Sequence, residues 1–408
     1  MISQQLNDQI TRVGPGTAAG AVLRRYWQPA ALSDQLRGSF PVPVNLLGER
    51  LALVRDDAGT LTLATRVSDP AETPTHHHDS GDIVIDGEGP RYPAVERKGV
   101  VFAYLGPDAA PAFPSFDCFR APDSHVFAFK GLWECNWLQA LEIGIDPAHA
   151  SFLHRFLEDE DPDDGYGKQF RDRAADTNMP MTQVLREYPR PEIKVDEMDY
   201  GLRITALRHM ENELTHVRIT NQIFPEAICI PMSREMTITQ WHVPIDDEHC
   251  YWFTIFTSFQ KPVDKDRMRD QRLQEHRLPD YAPIKNRSNS YHYDPAEQSA
   301  LTYTGMGLDI NVHDQWAVEG MGPIQDRTRE HLGRSDVAII KYRRMLRRAI
   351  GSLEDGAVED LPMRGAVDVS AIRGPLSNDA IASTGDWSSA SFAADMARRA
   401  ECPWDASV

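Results

Sequence analysis

Apolar positions in the first third of the chain recur at every second residue. Val42, Val44 and Leu46, then Leu51 and Leu53, alternate with their neighbours, the period of half-buried strands. Asp57-Ala58-Gly59 predicts a hairpin turn, and Leu61 and Leu63 continue the pattern beyond it. Val100–Leu105 predicts a short buried strand closed by Gly106-Pro107. Ahead of these, Thr17 is placed to cap a short helix running through Val22, Leu23 and Arg24 to Tyr26 and Trp27, stopped at Pro29.

Ala110–Pro122 is rich in proline and aromatic residues and predicts a connector, followed by a strand over His125–Lys130 with Phe127 and Phe129 on one face. From Glu192 to Phe259 strands dominate. Leu202, Ile204 and Ala206, then Val217, Ile219 and Ile223, then Ile238, Gln240 and His242 keep the period of two, and residues 251–257 are nearly all β-formers. Short links between consecutive strands imply an antiparallel sheet. Asp264–Asp280 predicts an exposed charged segment compatible with a helix. Ser335–Lys341 opens a capped amphipathic helix to about Ile350, with Arg343, Arg344, Arg347 and Arg348 as its basic exposed face. After Gly351 the composition turns to Gly, Pro, Ser and Asp, the mark of a tail wrapped on the surface or on a partner.

Composition narrows the class. The 408 residues are 41% apolar and 25% charged, enough for two globular domains or one large one. A net charge of −18 argues against nucleic acid as a partner, though local fields can still admit an acidic small substrate. No run of about 18 apolar residues exists to span a membrane, and the first twenty residues lack the apolar core of a signal peptide. The cysteines, Cys118, Cys135, Cys229, Cys250 and Cys402, are few, odd in number and scattered, as expected in a reducing cytoplasm.

The chemistry concentrates in Asn136–His154, NWLQALEIGIDPAHASFLH. Asp146 and His149 are three apart, so on a helix they share a face, the arrangement of a carboxylate that orients a metal-bound imidazole. His154 lies five residues beyond His149, too far around a regular helix for both to reach one ion unless the helix ends or distorts between them. A pair of nearby histidines is ordinary. Six polar residues in fixed spacing are not, and the stretch resembles the catalytic alpha subunit of the Rieske-type non-haem iron oxygenases. The family pattern Asn-Trp-x-Gln-x-x-Glu-x-x-x-Asp-x-x-His-x-x-x-x-His is matched at Asn136, Trp137, Gln139, Glu142, Asp146, His149 and His154. Residues 14–32 resemble the phthalate dioxygenase and aryl O-demethylase branch. Residues 241–247 resemble the family's Trp-x-Val-Pro-x-Asp-Asp strand and turn, and residues 286–291 its approach to the pocket.

The resemblance implies a third ligand in Asp-x-x-x-x-Glu ahead of Gly-Pro-Ile, here Asp314 to Glu319 before Gly322-Pro323-Ile324; His313 stands where the family carries glutamine or glutamate. It thus implies a mononuclear Fe(II) held by His149, His154 and Asp314, with Asp146 behind the imidazoles as the electron bridge and Asn136 and Gln139 as hydrogen-bonding groups around them. Two imidazoles and a carboxylate leave coordination positions open for dioxygen.

The donating half of such a system is missing. A Rieske cluster needs two cysteines and two histidines, and the family supplies them in a Cys-x-His and a Cys-x-x-His. The matching interval, Thr65–Pro90, contains no cysteine. His76, His77 and His78 read as a solvated loop rather than a metal site, and the acidic run over residues 158–164 as a solvated loop rather than a lid or a docking surface.

The expected fold is α+β. Residues 1–40 lead in, 41–118 form a small Rieske-like β domain without its cluster, 119–352 form a helix-grip catalytic domain with an antiparallel sheet, and 353–408 form a tail. The expected function is the catalytic subunit of a heteromeric oxygenase that hydroxylates or O- or N-dealkylates an aromatic compound. A Rieske-bearing α-type partner subunit supplies electrons, drawn in turn from an NAD(P)H reductase or ferredoxin. Two other readings remain at this stage: a non-catalytic structural or regulatory subunit, and a hydrolytic Lewis-acid site. Pocket residues are expected on the strands between 202 and 257.

Overall fold

The structure is a computed structural model that describes residues 1–37, 41–67, 75, 83–158, 179–365 and 367–408. His76–His78 and residues 159–164 lie outside the described residues.

The chain opens with α1 (Gln4–Thr11), capped by the Ser3 hydroxyl, and α2 (Ala18–Leu23). The second helix stops three residues before Tyr26 rather than at Trp27. The chain then runs as β1 (Trp27–Leu32) straight through Pro29. A proline is tolerated there because β1 is an edge strand and its register shifts between Pro29 and Ala31. β2 (Val42–Leu46), β3 (Glu49–Arg55), β4 (Leu61–Thr65), β5 (Arg91–Arg97) and β6 (Val100–Tyr104) complete a six-stranded antiparallel sheet in the order β1-β6-β5-β4-β3-β2. The two arms of the Thr65–Pro90 interval are zipped together, Val67 N–H to Val84 O at 2.8 Å and Asp86 N–H to Thr65 O at 2.9 Å.

The second unit begins with β7 (Val126–Trp133), followed by α3 (Trp137–Gly144), α4 (Ala150–Leu153) and α5 (Met181–Glu187). A meander follows: β8 (Glu192–Met198), β9 (Gly201–His209), β10 (Leu214–Ile223), β11 (Ala227–Pro231), β12 (Met236–Pro244) and β13 (Cys250–Ser258). With β7 they form an antiparallel sheet in the order β7-β13-β12-β11-β10-β9-β8. Then come α6 (Lys265–Leu273), α7 (Ile310–Gly320) and the long α8 (Val337–Glu354), which packs on β8, β9 and α2.

The segment expected as a wrapped tail, residues 353–408, supplies a strand and a helix to the second unit. β11 pairs with β10 only at Asn221–Ile223, and β14 (Asp379–Ser383) takes the rest of that edge at Leu214–Arg218. α9 (Trp387–Glu401) is held by Arg399, which donates to both carboxylate oxygens of buried Asp117 at 3.0 and 2.8 Å and to Asp395 at 2.6 Å. Two further expectations of exposure fail for one reason, a buried carboxylate partner. Arg343 on α8 is buried against Glu142 and Glu330, while Arg344, Arg347 and Arg348 do face solvent. Arg272 on α6 is buried against Asp309 at 2.6 Å.

Removing one member of a buried ion pair costs about 3–5 kcal/mol. Arg399→Met is therefore expected to lower the chemical-denaturation midpoint strongly, whereas Arg344→Met on the exposed face leaves it unchanged.

Candidate metal centre

α3 delivers the first half of the centre. Asn136 caps it, its Oδ1 accepting from Leu138 N–H at 3.1 Å while its Nδ2 donates to the carbonyls of Thr11 (3.0 Å) and Asp247 (2.7 Å). Asn136 thus ties the helix start to the N-terminal segment and to the turn after β12, and it does not line the cavity described below. Gln139 reaches the other way. Its amide nitrogen donates to Val318 O (2.9 Å) and Gly322 O (2.8 Å), and its Oε1 accepts from Gln325 N–H (2.8 Å). Glu142 is buried between Arg327 at 2.8 Å and Arg343 at 2.5 Å. Burial alone would raise its carboxyl, but the two guanidiniums hold it below the ordinary value.

The helix ends at Gly144, so no helical face carries Asp146 and His149 together. The Asp146 carboxylate instead accepts from the backbone N–H groups of Ala148 (2.8 Å) and His149 (3.1 Å), fixing the turn between α3 and α4. It is the backbone carbonyl of Asp146, not its carboxylate, that meets His149 Nδ1. A carbonyl can only accept, so Nδ1 carries the proton and Nε2 is left with its lone pair. His149 and His154 bracket the single turn of α4, His154 being its C-cap. That termination brings their Nε2 atoms to 3.2 Å.

Asp314 arrives on α7. Its Oδ1 lies 3.6 Å from His149 Nε2 and 3.3 Å from His154 Nε2, and is buried without a hydrogen-bond partner. Burial pushes this carboxyl up to about 7; the nearby His149 opposes the shift and Asp309 adds to it. His313, the departure from the family pattern, stacks its ring on His154 at 5.8 Å and donates from Nε2 to Gly307 O at 2.8 Å. The structure therefore brings His149, His154 and Asp314 together, with one donor atom from each within 4.8 Å of the others. Donors spaced 3.2–3.6 Å apart subtend about 100–120° at an ion held about 2.1 Å from each. Two imidazoles and one carboxylate suit a divalent first-row metal, and the stranded Asp314 oxygen is the group such an ion would satisfy.

Beside the three donors lies a cavity of about 140 Å³. Its walls come from the ends of α3 and α4, from α5 and α7, and from the sheet face carrying Trp133, Ile228, Ile230, Ile238 and Phe256. Gln240 and His242, on one of the strands expected to supply pocket residues, line this cavity, as do Arg218 and Arg272.

A family described as LigXa C-terminal domain like matches residues 103–394. The chain belongs to this family, the catalytic domain of the Rieske-type oxygenases, and is an oxygenase of the non-haem iron class. It is 28% identical over 389 residues to the tert-butanol monooxygenase / tert-amyl alcohol desaturase oxygenase subunit of Aquincola tertiaricarbonis, covering 84% of this chain and 76% of that one. It is 28% identical over 402 residues to the phthalate 4,5-dioxygenase oxygenase subunit of Pseudomonas putida, covering 87% and 88%. Among solved structures, the terminal oxygenase of carbazole 1,9a-dioxygenase from Novosphingobium sp. KA1 aligns with a TM-score of 0.43 at 17% identity, over 84% of this chain and 94% of that one.

Substituting any of the three donors by alanine is expected to abolish stoichiometric Fe(II) or Co(II) binding in anaerobic equilibrium dialysis, with the circular dichroism unchanged. Asp146→Ala, which frees the turn carrying His149, is expected to weaken metal binding about 10–100-fold. A pH effect follows for metal-free protein. The Asp314 carboxyl sits near 7 in the fold against 3.8 for an ordinary aspartate, so the folded state holds the extra proton between those values. Stability then falls as pH rises through that window. Chelator-stripped Asp314→Asn is expected to overtake wild type in thermal stability between pH 5 and pH 8.

Proposed function

We propose that the chain is the catalytic subunit of a heteromeric Rieske-type oxygenase, and that it hydroxylates or O- or N-dealkylates an aromatic compound. The convergence of His149, His154 and Asp314 beside an apolar cavity carries this reading. Ferrous iron held by such a triad supplies dioxygen activation next to an organic substrate. The chain's own residues prepare that place. Asp146 fixes the turn that aims His149, the one-turn helix aims His154, and the hydrophobic sheet face keeps bulk water from the reacting centre.

The heteromeric part of the reading rests on sulfur. A Rieske cluster takes two thiolates, and the earliest cysteine is Cys118, buried beyond the N-terminal sheet. We assign the donor cluster to a partner α-type subunit fed by an NAD(P)H reductase or ferredoxin, with electrons entering at Asp146, which is only partly buried. The phthalate relative supports an aromatic substrate. No helix among the described residues is long and apolar enough to cross a membrane, and we place the complex in the cytoplasm.

The test is oxygen uptake coupled to product formation by purified chain, with and without a co-expressed Rieske-bearing subunit. Turnover is expected only with the partner, and Asp314→Ala is expected to abolish it in the assembled complex. NADH-driven turnover by this chain with a flavin reductase alone would refute the heteromeric reading, and full activity of the Asp314→Ala complex would assign this chain a structural role.

A further inference from the structure

The wall of the cavity carries a charge pattern and one oriented amide that together define what it accepts. Two guanidiniums line it, and each is already matched. Arg218 donates to Asp379 at 2.6 Å and to the Pro231 carbonyl at 2.7 Å. Arg272 donates to Asp309 at 2.6 Å. Asp146, Asp309 and Asp314 also line the wall, with Asp379 and the buried guanidinium of Arg208, which donates to the Pro147 carbonyl, behind it. Among the described residues that line the cavity, no cation is left over for an anionic substrate.

The remaining polarity comes from β12, where Ile238, Gln240 and His242 alternate onto the cavity face. Gln240 Nε2 lies 3.0 Å from His242 Nε2. An amide nitrogen can only donate, so the imidazole accepts at Nε2 and carries its proton on Nδ1. Burial pushes His242 down to about 3, so it remains a neutral acceptor throughout the working range. The histidine thereby decides which way the glutamine amide points, and Oε1 is the end left for an occupant. The end of α3 crosses close by. A Cβ on Gly144 would fall 2.7 Å from Ile228 Cδ1 and 3.6 Å from His242 Cε1, so a side chain there would push the end of Ile228 aside.

We propose that this cavity takes an uncharged substrate bearing a hydroxyl or N–H donor, which Gln240 Oε1 accepts, and that it excludes carboxylates. This rests on the cavity being the substrate site of the oxygenase read above, and it adds the substrate's charge and its hydrogen-bonding sense. A carboxylate has acceptors only. In this cavity it would face an acceptor oxygen, with both lining arginines already paired. An alcohol, phenol or amide meets none of these costs.

The test is calorimetric binding of benzyl alcohol and of benzoate to the full chain loaded with Zn(II), without reductant, so that no turnover is needed. Wild type is expected to bind benzyl alcohol at least about tenfold more tightly than benzoate. Gln240→Leu is expected to lose about tenfold for benzyl alcohol, the worth of one hydrogen bond, and to leave benzoate unchanged. Asp379→Asn releases Arg218 and is expected to gain about tenfold for benzoate; should that variant not fold, Gln240→Leu decides. Equal or tighter benzoate binding by wild type, binding of neither probe, or indifference to Gln240→Leu would overturn the proposal. Failure of the oxygenase reading would show as absent product in the assembled complex and would leave these ratios as they are.

Discussion

Everything at the centre depends on α3 gripping α7. The two histidines follow α3 by a short turn, whereas Asp314 sits on a helix some 160 residues later, and side chains of α3 tie the two together. Gln139 uses both ends of its amide on the backbone of residues 318–325, just past the C-terminal end of α7. Glu142 sits one turn further along, between two buried guanidiniums from the segments that follow α7. Neutral hydrogen bonds of this kind contribute about 1 kcal/mol each, but a buried amide or carboxylate left unpaired costs more than its bond was worth. The grip is therefore nearly all-or-none, which suits a cage whose three donor atoms lie 3.2–3.6 Å apart.

The same logic of matched buried charge organises the rest of the second unit. The chain carries an excess of acid, and four cations of this unit are placed on a carboxylate: Arg343 on Glu142, Arg272 on Asp309, Arg218 on Asp379, Arg399 on Asp117. Two of these pairs join the C-terminal segment to the body. β14 supplies Asp379 to the back of the cavity wall while completing the edge of β10. The segment that closes the sheet thus also sets the electrostatics of the pocket.

Much of this was legible beforehand, for physical reasons that differ by element. The strands were legible either from a period of two, as in Val42–Leu46 with one face on a core, or from unbroken runs of β-formers buried on both faces, as in Val100–Tyr104 and Cys250–Ser258. His149, His154 and Asp314 were legible through the resemblance to the family's ligand pattern, and they do lie together. The antiparallel order of the second sheet followed from short links. Three things did not show. β14 is five small residues with a single isoleucine, and its partner strand lies about 160 residues earlier. Arg343 belongs to a polar stripe by pattern, and only the distant Glu142 draws it inward. The shared helical face suggested by the spacing of Asp146 and His149 does not form, because the helix has already ended at Gly144 and the Asp146 carboxylate turns back onto the main chain. Gln139 and Gln240 act through backbone groups and a neighbouring ring, partners that carry no signal in the residues themselves.

The central proposal is a mononuclear iron site held by two imidazoles and one carboxylate, with the iron–sulfur cluster on a partner subunit. X-ray absorption at the iron edge of the purified, anaerobically iron-loaded chain tests both halves at once. The account predicts one iron per chain surrounded by light nitrogen and oxygen scatterers, including the multiple-scattering signature of two imidazoles, with no sulfur shell and no neighbouring iron. A sulfur shell with an iron neighbour, or an iron environment without imidazole, would contradict it.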